Sequence, residues 1–136
     1  MRNEKHVFHS AFSILHLAFS SMALDLPKLR KLVAIDPSDP LSRFALGKKL
    51  FELAGTPDAP DEKAALAEAA DNLRLANSKA PEHLATYHVL AQTLLKLGSK
   101  DEVRRVLTQG IDRASAVTEG MGRDLAPMMR EMLAGL

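Results

Sequence analysis

The chain of 136 residues contains no cysteine and no tryptophan, one tyrosine, and only 4% aromatic residues in all. Without cysteine there is no disulfide framework, no thiolate nucleophile, and no Cys-ligated zinc or iron–sulfur centre. So few rings in a sequence that is 46% hydrophobic argue against a β-sandwich filled by aromatic and β-branched side chains, and for Ala- and Leu-rich helices. The expected fold class is all-α. Charge of one sign is missing too. The 18 basic residues face 17 acidic ones, and residues 1–60 hold 8 and 6 of them, residues 61–136 hold 10 and 11. Counterion release on a nucleic acid needs a concentrated basic stripe, so no nucleic-acid partner is expected. No apolar run approaches the roughly twenty residues that a membrane-spanning helix needs.

The familiar catalytic motifs are missing as well. The chain has no Gly-x-Gly-x-x-Gly, no phosphate loop ending in Gly-Lys-Ser/Thr, no Gly-x-Ser-x-Gly and no His-Glu-x-x-His. His9 and His16 are two helical turns apart, about 11 Å along an axis, too far to share one zinc ion. His83 and His88 are five residues apart and poorly aligned. The acidic pairs Asp61-Glu62 and Asp101-Glu102 lie where helix starts favour negative charge. No catalytic residue, metal or cofactor is therefore expected.

What is present is punctuation. Asp36-Pro37 and Asp39-Pro40 bracket a turn, with Asp39 placed to cap a helix running to about Leu53 and Pro40 suited to its first position. Gly55 to Pro60 reads as a loop before an Ala-rich helix from Glu62 to Ser78. Ala80-Pro81-Glu82 is expected to open a further helix ending at Gly98. Ser99-Lys100-Asp101-Glu102 reads as a capping box in which Ser99 bonds forward and Glu102 reaches back. Val103, Val106, Leu107 and Ile111 then share one stripe. Gly120 and Gly122 are expected to close that region, and a last helix from Asp124 to Leu136 to present Leu125, Met128, Met129, Met132, Leu133 and Leu136 on one apolar face.

The sequence repeats. Leu46-Gly47 aligns with Leu90-Ala91, Leu50 with Leu94, Ala69 with Val103, Leu73 with Leu107, and Ala76 with Gly110. In this it resembles the tetratricopeptide repeat, whose period is about 34 residues and whose first helix carries a large residue, an apolar–small pair and another large residue. One repeat fits from Tyr87 to Ile111 without a gap. The one before it fits with about ten residues inserted at Thr56–Ala65. The likeness covers Leu26 to Ala116, and departs from the motif at Arg43, Val103 and Ser115.

The resemblance implies two to three antiparallel helix pairs over residues 26–118, stacked as a short right-handed superhelix, with residues 119–136 as a C-terminal capping helix. It also implies a non-enzymatic scaffold that receives a peptide or helix of another protein on the inner face of the first helices. On this sequence those positions are Phe44, Lys48, Phe51 and Glu52, with His88, Gln92, Leu95 and Lys96. A partner with apolar side chains and some negative charge would suit them, with Lys48 and Lys96 meeting the charge. The Lys/Asn set by which some relatives grip terminal carboxylates is not reproduced, since Phe44, Ala85 and Val89 stand at those positions.

Residues 1–25 form an N-terminal extension in which Phe8, Phe12, Leu15, Phe19 and Met22 recur four and three apart, the pattern of an amphipathic helix. Two uses fit: packing on the repeats, or a homodimer interface that would make the chain a self-associating module. A secretory signal is the rival reading, because Arg2 and Lys5 precede an apolar stretch and Ser21-Met22-Ala23 resembles a cleavage site. His9 and His16 interrupt that stretch, and the expected location is the cytoplasm.

Overall fold

A computed structural model describes residues 24–117 and 120–136. The described residues form six helices and no strand: α1 (Leu26–Ile35), α2 (Pro40–Leu53), α3 (Glu62–Lys79), α4 (Leu84–Leu97), α5 (Lys100–Ser115) and α6 (Met121–Ala134). The segment with the Phe8–Met22 stripe, His9, His16 and the signal-like residues lies outside the described residues.

Aspartate starts the first three helices. Asp25, Asp39 and Asp61 each accept a bond of 3.1 Å from the backbone N–H three residues on, those of Lys28, Ser42 and Ala64. Each thereby satisfies a donor that has no partner within the helix. Pro27 and Pro40 occupy first-turn positions where no amide hydrogen is needed. The α4 start departs from expectation: Ala80 to His83 is a turn, closed by a bond from the His83 N–H to the Ala80 carbonyl, and the helix begins at Leu84. The Tyr87 hydroxyl donates to the Pro81 carbonyl at 2.6 Å and ties the turn to the helix it precedes.

The expected capping box at Ser99 does not form. Ser99 is the N-cap of α5, but its side chain makes no capping bond. The Glu102 carboxylate points instead to Arg74 of α3, 2.8 Å away. A charged bidentate partner on a neighbouring helix outcompetes one backbone N–H. Gly98 closes α4 at φ +82, a left-handed conformation that lets the Ser99 N–H reach back to the Leu94 carbonyl. α6 begins three residues before the expected Asp124, so Gly122 lies inside the helix and does not end the region before it. A Cβ there would stand 2.7 Å from that of Val117.

The helices pack as antiparallel pairs, α2 with α3 and α4 with α5, with α1 against α2 and α6 against α5 and α4. The residues that align between the repeats are the core. Leu46, Gly47, Leu50, Ala69, Leu73 and Ala76 are buried, as are Leu90, Ala91, Leu94, Val103, Leu107 and Gly110. The small residues permit close approach. At Gly47 a Cβ would meet Leu73 at 2.7 Å and the Ala69 carbonyl at 3.1 Å. At Gly110 a Cβ would meet Tyr87 and Met129, each at 2.8 Å. The result is two rows, with α2, α4 and α6 side by side in one and α1, α3 and α5 in the other.

Two of the departures from the repeat motif have a physical reason. Arg43, where the motif has an aromatic residue, donates to the Pro37 carbonyl at 2.8 Å and to Asn72 of α3 at 3.0 Å. Hydrogen bonds thus join α2 to α3 where ring packing would otherwise do so. Val103 stands in a small-residue position yet is fully buried, seated in the core between the pairs.

Candidate functional site

Burying Leu46, Gly47 and Leu50 turns the opposite side of α2 outward, and burying Leu90, Ala91 and Leu94 does the same for α4. A helix has only so much circumference, so residues one position off the buried stripe must face the open side. Between these two faces and α6 runs an open groove of about 500 Å³, lined by Phe51, His88, Gln92, Leu95, Lys96, Met128, Glu131 and Met132.

Five of the eight residues expected from sequence therefore meet in one place: Phe51, His88, Gln92, Leu95 and Lys96. Phe44, Lys48 and Glu52 do not line the groove. Phe44 lies two turns nearer the start of α2 and packs edge-on against His83, ring centres 4.8 Å apart. Lys48 is exposed, and Glu52 is exposed with its carboxylate 3.9 Å from the Lys49 amine. Register explains the difference. Phe44 shares a face with Phe51 but lies two turns away along the helix, Lys48 lies about one turn away, and Glu52, the next residue, is turned about 100° around it.

Met128, Glu131 and Met132 complete the groove. The sequence marked the methionines as one apolar face of a capping helix, and the structure divides that face. Met129 is fully buried against the core, while Met128 stays 46% exposed and joins Met132 at the groove wall. An apolar stripe wider than its neighbour can cover was the available signal, since six apolar positions on the thirteen residues 124–136 exceed one packing seam.

The groove is mostly apolar, with polar groups at definite points. The Lys96 ammonium sits 5.2 Å from the centre of the Phe51 ring, a cation–π contact that holds the charge beside the apolar floor. Lys96 is also in the last turn of α4, where the carbonyl end of the helix favours a cation. Burial pushes the His88 imidazole below its ordinary pKa, so it favours the neutral form. His83 is lowered for the same reason, against a smaller opposing pull from Glu82, and its Nδ1 lies 2.7 Å from the Thr86 hydroxyl.

Among the described residues no three His, Asp or Glu side chains gather in a way that would hold a metal ion. Nor is any helix among them long and apolar enough to cross a membrane. Compared with family models, curated proteins and solved structures, the chain matches none of them.

Proposed function

We propose that this chain is a non-enzymatic scaffold of the tetratricopeptide-repeat kind, whose groove between α2, α4 and α6 receives a peptide or helix of another protein. The observation that carries the reading is the contrast between its faces. The residues aligned between repeats are spent on the core, while Leu95 and Met128, two of the four large apolar side chains left exposed among the described residues, meet in one groove. Exposed apolar area gathered in a concavity and rimmed by polar groups is the usual form of a recognition surface.

Thioether, aliphatic and aromatic side chains offer adaptable contact to a partner's apolar residues. Lys96 offers one positive charge to an acidic residue beside them, the role expected of Lys48 and Lys96 together. With Lys48 outside the groove, the preference for acidic partners falls on Lys96 alone.

A panel of amphipathic helical peptides, with and without an acidic residue beside the apolar face, tests this by fluorescence anisotropy. The expected result is binding that Leu95→Asp weakens tenfold or more with unchanged helicity, and that Lys96→Glu weakens for the acidic peptides only. Affinity that is absent throughout, or indifferent to both substitutions, would sink the reading.

A further inference from the structure

We infer that the groove selects a helix of mixed charge, lying across α2, α4 and α6, with an acidic and a basic residue about seven positions apart beside its apolar face. The acid meets Lys96 and the base meets Glu131. The inference rests on the groove being a peptide site, and adds the charge pattern that such a partner must carry.

Opposite charges line the groove, and both are left open. Lys96 and Glu131 are exposed, and among the described residues neither takes part in a salt bridge. The other row disposes of its charges differently, since Arg30, Arg74, Arg104 and Arg105 each stand against a carboxylate. The remaining titratable residue of the groove is His88, which burial holds toward its neutral form. One cation and one anion therefore set the charge that a partner meets.

These two hold equivalent places on neighbouring helices. Lys96 follows the buried Leu94 by two positions on α4, and Glu131 follows the buried Met129 by two on α6. The buried residue fixes how each helix is turned, so both side chains leave on the same side. The helices also run in the same direction. A Cβ at Gly122, near the start of α6, would lie 3.2 Å from Leu84 at the start of α4, while further along Met128 and Met132 line one groove with Leu95 and Lys96.

Packed helix axes are about 8–10 Å apart, and equivalent positions on α4 and α6 are separated by about as much. A helix laid across them rises about 1.5 Å per residue and returns to the same face after seven, about 10.5 Å on. One turn, about 5.4 Å, falls short. The pull of the Phe51 ring on the Lys96 ammonium, 5.2 Å from its centre, draws that charge toward α2 and away from Glu131, which favours two turns over one. Partner residues three and four on from the first charge face the same way and meet Leu95 and Met128.

A partner with two acids sets one of them against Glu131, and a partner with two bases does the same at Lys96. Exposed pairs of this kind change affinity by about fivefold at most, so the charges choose among helices that apolar contact already binds.

Four helical peptides with a common apolar face test this on the full chain, by fluorescence anisotropy at low ionic strength. They carry an acid and a base seven apart, an acid and a base four apart, two acids seven apart, or two bases seven apart. The expected result is tightest binding of the first, by roughly threefold to fivefold over each of the others. Glu131→Lys should move the preference to the two-acid peptide and Lys96→Glu to the two-base peptide, with helicity unchanged. Equal affinity of the parent chain for all four, still lost in Leu95→Asp, would overturn the inference and leave the groove as a peptide site. Binding of none would remove both, and a dimer in sedimentation that Leu95→Asp makes monomeric would then assign the groove to a second copy.

Discussion

Arg74 of α3 grips both carboxylate oxygens of Glu102 in α5, with Nε and Nη2 each 2.8 Å from an oxygen, while its third nitrogen reaches Asp71 at 3.0 Å. A second pair, Arg30 of α1 with Glu68 of α3, makes the corresponding link one helix earlier. Successive helices of the outer row are thus joined by arginine–carboxylate bridges.

The Arg74 partner holds the Glu102 carboxyl below the usual carboxylate pKa. The bridge therefore adds stability fully present above the unfolded-state value of about 4.3, and lost as pH falls through the lower folded value. Glu102→Gln should cost about 0.5–1 kcal/mol near pH 7, since the pair is partly solvent-screened, and the difference from the parent should vanish in acid. Urea unfolding at several pH values measures both.

Gly47 and Gly110 have no room for a methyl group. Gly47→Ala would gain helix propensity of about 1 kcal/mol but drive Cβ into Leu73, at an overpacking cost of about 1–3 kcal/mol. At Gly110 the obstacles are the Met129 sulfur and the Tyr87 Cβ, each 2.8 Å from a built Cβ, and only the thioether is free to give way. Thermal unfolding should show both Gly47→Ala and Gly110→Ala less stable than the parent.

The polar substitute for an aromatic contact at Arg43 is also testable. Asn72 is buried, accepts from Arg43, and donates to the Glu68 carbonyl at 2.9 Å. Asn72→Ala leaves the guanidinium without its buried partner and should cost about 1–3 kcal/mol. Tyr87→Phe, which removes only the bond to Pro81, should cost less, about 0.5–1.5 kcal/mol. Denaturation of the two variants side by side ranks them.

His83 and His88 have folded pKa values pushed below the ordinary one by burial. The unfolded chain then binds protons more readily than the folded one. Stability is full above about pH 6.5 and declines as pH falls from there toward the folded values. Following both imidazole C–H signals by NMR should give midpoints on the acid side of an ordinary histidine; midpoints at or above it would contradict the burial.

The sequence made several boundaries legible because Asp39, Pro40, the acidic start at Asp61-Glu62 and Gly98 act within a few residues of where they stand. The core positions were legible because the aligned pairs obey one helical period. What failed depended on neighbours distant in sequence. Glu102 was read as a cap because three residues separate it from Ser99, whereas Arg74 lies 28 positions away. The groove was legible by face but not by level: Phe51 and Lys96 meet, while Phe44, on the same face, lies too far along the axis. Glu131 was missed because one charged residue beside an apolar stripe looks like any solvated position.

The two rows are not joined in the same way. The helices of the row that carries the groove, α2, α4 and α6, touch one another directly. The opposite row is braced by the Arg30–Glu68 and Arg74–Glu102 bridges, partly exposed to water. Salt shortens the reach of such charges to about 3 Å at 1 M, while leaving apolar burial largely untouched. Raising ionic strength therefore weakens these two bridges while the buried core holds, so dissolved salt acts on one side of the stack and a core substitution on its middle.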